Sequence, residues 1–212
     1  FDILPYIKVV ENQVKPEVFI KEKKTEQVHI ALGVRTVPLE HPDHYPLGVL
    51  AAVLGGGMSS RLFHEVREKR GLAYYVRSSS EHYSDCGSLV SVAGVDPKRV
   101  GEAVKVMVGE YQKVQSSKFK VQSSELKKAK EFLKGHFVLE LEDSRAVAGF
   151  FGSQELLEKK IDTPEEVIEK IKKVTIEEVQ DVAKRYFVNK GLNLAAIGKF
   201  PNGQKFEKLL RF

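Results

Sequence analysis

The stretch that decides how this chain folds is residues 54–74, which read LGGGMSSRLFHEVREKRGLAY. Just ahead of the glycines, residues 45–54 are apolar almost all round and predict a buried helix that ends at Gly55, a common helix stop. The apolar residues after the glycines predict a second helix over residues 59–69, which Gly71 terminates. The stretch therefore predicts two helices joined by a tight glycine break, with a strand directly after the second helix.

Alternating apolar and polar residues predict the strands of the fold. One strand is predicted over residues 27–36, where apolar side chains occupy every second position. Residues 73–83 and 87–95 predict a hairpin closed by turn-forming residues, and residues 192–197 predict a short last strand.

Helical periodicity and helix-start signals predict the remaining helices. One helix is expected to begin at Pro97, and one long helical region, with room for a kink, is expected over residues 123–158. Thr163 and Thr175 each start a capping box, and residues 205–212 predict a terminal helix.

The order of these elements favours an α+β fold, with a mainly antiparallel β-sheet covered by helices on one face. Residues 1–24 have no steady period and are interpreted as a linker or edge segment from a preceding domain. Residues 25–212 are interpreted as a single α+β domain. Because the first residue is Phe1 and not Met, we expect the chain to be a piece of a longer polypeptide.

Composition excludes several classes of function. The chain has 212 residues, 42% of them hydrophobic and 30% charged, and a net charge of +5. No apolar run approaches the roughly 18 residues of a membrane span, and the cations are interleaved with carboxylates, which argues against nucleic-acid binding. The single cysteine, Cys86, indicates a reducing compartment, so a cytoplasmic location is expected.

The glycine run does not match a phosphate-binding loop. A P-loop requires a lysine after its last glycine, whereas Met58 follows Gly57 here, and Ser60 occupies the position of the last glycine in a dinucleotide fingerprint. A tight connection between two helices is the favoured interpretation.

No complete zinc site is predicted in this chain. The sequence has six histidines but neither H-x-x-E-H nor H-E-x-x-H, and His41 and His44 lie in a loop that does not aim both rings at one ion. No G-x-S-x-G motif indicates a serine nucleophile either.

Arg67 and Tyr74 are the remaining candidates for chemistry. Arg67 lies in the last helical turn before Gly71, and Tyr74 begins the next strand, so the two side chains are expected near one end of the sheet. A guanidinium and a phenol together can hold a peptide carbonyl or an oxyanion. The alternative is structural: Arg67 would complement the helix dipole and Tyr74 would pack.

The combination of LGGGMSSRLF with RGLAY resembles the C-terminal domain of the inverzincin metallopeptidases, the family of insulinase, pitrilysin and the mitochondrial processing peptidase. The resemblance covers about residues 25 to 200. It implies a metallopeptidase half-unit derived from a ferredoxin-like fold, with H-x-x-E-H, a further Glu and the zinc on an N-terminal half. It also implies catalytic and substrate-binding roles for Arg67 and Tyr74, and substrate binding at Gly55, Gly56 and Gly57.

The resemblance leaves two functions open. In the first, the chain is the substrate-binding C-terminal half of a zinc-dependent metalloendopeptidase, with zinc bound outside it on a zinc-bearing domain or partner subunit and an unstructured peptide as substrate. In the second, it is a non-catalytic subunit-type relative that acts as an interaction module. Alone, the chain is expected to be inactive, and a homo- or hetero-oligomer is expected.

Overall fold

The computed structural model describes residues 7–116, 120–200 and 206–212. Its strands are β1 (Glu17–Glu22), β2 (Val28–Thr36), β3 (Ala73–His82), β4 (Gly87–Val95) and β5 (Leu192–Gly198). Its α-helices are α1 (His44–Gly55), α2 (Val100–Gln115), α3 (Ser123–Glu140), α4 (Ser144–Leu157), α5 (Pro164–Lys173) and α6 (Ile176–Tyr186). A π-helical segment, Phe63–Glu68, precedes β3, and 3-10 turns occupy Pro97–Arg99 and Asn189–Gly191.

The five strands form one mixed sheet in the order β1-β5-β2-β4-β3. Only β1 and β5 pair in parallel, and the other three pairings are antiparallel. The predicted α+β fold with a mainly antiparallel sheet is therefore confirmed. The edge strand expected near the N-terminal segment is β1, which lies beside the last strand of the chain.

The sheet has one buried face and one open face. In β2, Val28, Ile30, Leu32 and Val34 are buried, whereas His29 and Arg35 on the opposite face are exposed. Helices α1, α2 and α6 pack on the sheet. A strand that alternates in this way has one face in the core, and the helices cover that face.

Two predicted helix starts are confirmed by their hydrogen bonds. Thr163 caps α5, since its Oγ1 accepts from the Glu166 N–H, while the Glu166 carboxylate accepts from the Thr163 N–H at 2.8 Å. Thr175 and Glu178 form the same reciprocal pair at the start of α6.

The helical region predicted over residues 123–158 is not one helix. It divides into α3 and α4, because the Asp143 carboxylate accepts hydrogen bonds from the N–H groups of Arg145 at 2.7 Å and Ala146 at 3.1 Å. An N-cap aspartate of this kind starts a new helix.

The predicted terminal helix is wrong over residues 206–212, and residue 205 lies outside the described residues. These seven residues form a turn, in which the Leu209 N–H donates to the Phe206 oxygen at 2.8 Å. The side chains of Phe206 and Leu210 are fully buried. Both side chains lie in the core, and the chain between them makes a single turn at residues 207–209 in place of a regular helix.

The glycine break is explained by packing. Gly55 ends α1 directly against β3, where a Cβ would overlap the backbone nitrogen of Ser78. Beneath this contact, a buried row of hydrogen bonds joins Ser78 Oγ to Ser91 Oγ at 2.6 Å and Ser91 Oγ to the Tyr111 hydroxyl at 2.7 Å. Gly57 has a φ of 113°, a value that favours glycine.

No helix within the described ranges is long and apolar enough to cross a membrane.

Replacing Gly55 with alanine is expected to destabilise the fold, because the new methyl group overlaps the backbone of β3. We expect a loss of about 1–3 kcal/mol in the free energy of unfolding, measured by urea denaturation. Gly48→Ala, on the same helix, is the matched control, since a Cβ there meets no atom within 4 Å. It should be neutral or stabilise the protein by up to about 1 kcal/mol. Equal effects of the two substitutions would contradict the packing explanation.

Candidate functional site

Arg67 lies on the π-helical segment and is exposed. The guanidinium carbon lies 5.0 Å from the centre of the Phe63 ring, so the cation rests over an aromatic face. A regular helix was predicted over residues 59–69, but most of this stretch is a π-helical turn. Such turns are rare in proteins, and those that occur are often at functional sites.

The carboxylates of this segment are bound to side chains other than Arg67. Glu65 contacts Lys69 at 2.6 Å and Arg70 at 2.5 Å, and these two hydrogen bonds lower the pKa of its carboxyl group to about 2. Glu68 contacts His64 Nδ1 at 2.7 Å. Within the described ranges, the Arg67 side chain makes no hydrogen bond or ion pair.

Both ends of the segment are fixed. Just ahead of it, Arg61 binds Glu125 of α3 through two hydrogen bonds of 2.7 and 2.8 Å, with only 13% of the Arg61 side chain exposed. After it, Gly71 has a φ of 56°, and its N–H donates to the Arg67 oxygen at 3.0 Å. The backbone that carries Arg67 is therefore held in place on both sides.

Tyr74 is the extra residue of a β-bulge. Ala73 pairs with Val95 and Tyr75 pairs with Gly94, so Tyr74 has no partner on β4. Its side chain is 61% exposed, and its hydroxyl makes no hydrogen bond to any described residue. The hydroxyl of neighbouring Tyr75, in contrast, is 2.9 Å from His29 Nδ1. Bulges re-aim a side chain and are common beside active sites.

Arg67 and Tyr74 are not hydrogen-bonded to one another, but they lie in adjacent elements. The π-helical segment packs against β3, the strand on which Tyr74 is the second residue. Both side chains are exposed, and among the described residues neither has a polar partner. Together they present free hydrogen-bond donors close to one end of an edge strand.

The three glycines serve packing in this structure. A Cβ at Gly56 would overlap Ala52, one at Gly57 would lie 3.0 Å from the Phe132 ring, and Gly55 meets β3. The Gly57 oxygen also accepts a 2.6 Å hydrogen bond from Ser60 Oγ. Substrate binding at Gly55, Gly56 and Gly57 remains a prediction from the resemblance.

Over the described ranges, no group of three or more His, Cys, Asp or Glu side chains is arranged to hold a metal ion. His41 Nδ1 accepts the N–H of Asp43 at 3.1 Å, and the His44 ring lies 4.4 Å from the ring of His82. His82 Nδ1 is 2.8 Å from the Val37 oxygen. These histidines are used to fix the loop between β2 and α1.

Burial lowers the pKa of both rings in the His44–His82 pair. Burial and the nearby His82 lower the pKa of His44 to about 4. Burial also lowers the pKa of His82. Both rings are therefore neutral at pH 7.

Three features of the site were missed by sequence reasoning: the π-helical turn, the bulge and the Phe63–Arg67 contact. A π turn has hydrogen bonds between residues five apart, and the amino-acid sequence carries no pattern that predicts them. The bulge depends on how β3 pairs with β4. The i, i+4 spacing of Phe63 and Arg67 was a usable signal for their contact.

Comparison with known sequences finds a family and a longer relative. Residues 3–133 match the family model described as "Peptidase M16 inactive domain". A Mycobacterium tuberculosis protein described as an uncharacterized zinc protease is 36% identical over 190 residues, which are 90% of this chain and 42% of that protein. The chain thus spans less than half the length of this relative.

Solved structures give the same picture of the fold. A protease from Helicobacter pylori superposes with a TM-score of 0.81 and 25% identity, covering 92% of this chain and 47% of that one. A chain of complex III2 from Candida albicans superposes with a TM-score of 0.82 at 20% identity, covering 92% and 49%. The second likeness shows the fold alone.

The half-buried pair of His44 and His82 makes the fold sensitive to acid. The folded-state pKa of each ring lies below its unfolded value near 6.5, so the unfolded chain binds more protons as the pH falls through that value. We expect the free energy of unfolding to decrease from about pH 6.5 towards pH 4, measured by urea denaturation at several pH values.

The variant His44→Gln should flatten this dependence, because one of the two titrating rings is removed. His136→Gln is the control, since His136 is exposed on α3. The explanation is wrong if the two variants lose stability between pH 6.5 and pH 4 to the same extent.

Proposed function

Because the chain belongs to the peptidase M16 inactive-domain family, we propose that it is the substrate-binding C-terminal half of a zinc-dependent metalloendopeptidase. Zinc is bound outside this chain, on the half that the longer zinc-protease relative has in addition. This chain provides the opposite wall of the active site and binds the peptide there.

The observation that carries the proposal is the pair of unpartnered donors at one end of β3. Arg67 keeps its guanidinium free although carboxylates lie on the same segment, and Tyr74 is turned out of the sheet by a bulge. A residue kept for fold stability would be expected to use these donors, since charge-assisted hydrogen bonds are the stronger ones.

The two side chains have a defined role in this proposal. A zinc ion, when bound by the other half, supplies a Lewis acid and an activated water. Arg67 and Tyr74 donate hydrogen bonds to the oxygen of the scissile peptide bond, and these bonds strengthen as negative charge develops there.

The partner half is proposed to pack on the apolar surface that this chain leaves exposed. Leu156 and Leu157 at the end of α4 are 83% and 56% exposed, and Leu139 of α3 is 64% exposed. On the open face of the sheet, a hollow of about 310 Å³ is lined partly by Phe19 and Ile197. Large apolar side chains that are left exposed are the candidates for such a contact.

A second candidate is a non-catalytic subunit that only stabilises an assembly. The observation that favours it is the fold shared with a chain of complex III2, together with the family description as an inactive domain. Under this alternative Arg67 and Tyr74 have no substrate, and their replacement changes no peptidase activity.

Replacing Arg67 or Tyr74 should impair catalysis without unfolding the protein, because both side chains are exposed. In the longer protein, or with a zinc-bearing half added, we expect Arg67→Ala and Tyr74→Phe each to lower kcat/KM by about 10- to 100-fold. The assay is cleavage of an internally quenched, unstructured peptide.

The controls for this experiment are neighbours of the same type. Arg77→Ala removes another exposed arginine of β3, and Tyr75→Phe removes a hydroxyl that faces His29. Both should stay within about twofold of the unchanged protein. Full activity in Arg67→Ala and Tyr74→Phe would leave the non-catalytic subunit as the better reading.

Leu156→Asp is expected to weaken association with the zinc-bearing half by about tenfold or more, because a charge would replace an apolar contact. Calorimetric titration of the two halves as separate chains measures the Kd. The thermal unfolding of this chain should not change, since Leu156 is 83% exposed. Glu155→Ala, an exposed neighbour on α4, serves as the control. An unchanged Kd for Leu156→Asp would place the interface elsewhere.

A further inference from the structure

The basic side chains in and just after the π-helical segment have different partners. Lys69 and Arg70 both bind Glu65, and His64 contacts Glu68. Arg67 lies among these residues but makes no ion pair within the described ranges. Its guanidinium rests on the face of the Phe63 ring instead.

We propose that Phe63 is a positioning residue that holds Arg67 ready for substrate, and this inference rests on the proposed function of Arg67. The Arg67 Cζ is 5.0 Å from the ring centre, inside the distance of about 6 Å at which a cation is attracted to an aromatic face. Residues four apart are neighbours on a helical surface, so the contact is local and needs no other element.

An aromatic face holds a guanidinium differently from a carboxylate. A carboxylate binds the N–H edge of the guanidinium in a fork, and those donors must be released before substrate binds. A ring stacks against the face of the group and leaves the N–H donors available. Phe63 therefore orients Arg67 without using the donors that a peptide oxygen requires.

The pattern of ion pairs keeps this arrangement in place. Glu65 has two cationic partners, and only 14% of its side chain is exposed. Glu68 is the other carboxylate of the segment, and its 2.7 Å contact with His64 competes with any pairing to Arg67. Both acids of the segment are thus occupied, and the guanidinium rests on the ring.

The ring itself is anchored. Phe63 is partly buried and packs against the hydrophobic core, and the preceding turn is tied to α3 by the two hydrogen bonds between Arg61 and Glu125. A fixed ring reduces the number of orientations that Arg67 loses when substrate binds. An exposed cation–π contact changes such an equilibrium by about twofold to fivefold.

The test is a double-mutant cycle in the longer protein that includes the zinc-bearing half, with an internally quenched unstructured peptide as substrate. Phe63→Leu should lower kcat/KM by about twofold to fivefold, mainly by raising KM. Phe63→Tyr, which keeps an aromatic ring, should retain activity. In an Arg67→Ala background, Phe63→Leu should have no further effect, because the group that it orients is absent.

The outcomes separate this inference from the proposed function. A loss from Phe63→Leu that is equally large with and without Arg67 is structural and overturns the role of Phe63. If Arg67→Ala lowers kcat/KM but Phe63→Leu does not, Phe63 has no positioning role, while the proposed function stands. If Arg67→Ala is without effect, the proposed function itself fails. Should Phe63→Leu not fold, Phe63→Met fills a similar volume without a ring and takes its place in the cycle.

Discussion

The arrangement of the site depends on one close contact, the approach of the last residue of α1 to β3. There is no space for a side chain between Gly55 and the backbone of Ser78, so the helix ends flush against the sheet. The connection from the end of α1 to the π-helical segment is short and spans only the residues from Gly56 to Leu62. The position of α1 on the sheet therefore also sets where the segment begins, and with it where Arg67 lies.

Ion pairs then determine which side chains in and around that segment keep free hydrogen-bond donors. Arg61 is committed to α3 through Glu125, and Glu65 is committed to Lys69 and Arg70. These pairs stiffen the backbone on either side of Arg67. They also leave Arg67 as a cation with free donors in a crowded set of charges. The segment is thus fixed at both ends while the Arg67 donors stay open, an arrangement that suits the substrate binding proposed above.

Much of the fold could be predicted from the sequence, because it follows from local signals. The alternation in β2 and the caps at Thr163 and Thr175 each depend on a few neighbouring residues, and these predictions agree with the structure. The break between α3 and α4 was allowed for only as a kink, and its position at Asp143, a good N-cap, was not recognised. The turn within residues 206–212 has no local signal in the sequence, because burial of Phe206 and Leu210, four residues apart, fits a helix equally well.

The residues of the candidate site were selected from the sequence, and their roles stay a prediction; the form of the site was not predictable. Arg67 and Tyr74 were selected by residue type and by the family resemblance. The π-helical turn and the bulge, in contrast, arise from how the chain closes between Gly71 and the register of β3 with β4. Register is a long-range property, set by pairing between residues such as Tyr75 and Gly94. The local sequence around Tyr74 does not specify which residue of β4 each residue of β3 pairs with.

The order of the strands has a consequence for how the protein is made. β5 comes last in the sequence but lies between β1 and β2, the first two strands. During synthesis β1 has no neighbour in the sheet, and one edge of β2 stays open, until about 170 further residues have left the ribosome. Contacts of such long sequence separation form slowly. The sheet is thus completed only when its final strand is inserted, and until then the nascent chain exposes two unpaired strand edges that are prone to aggregate.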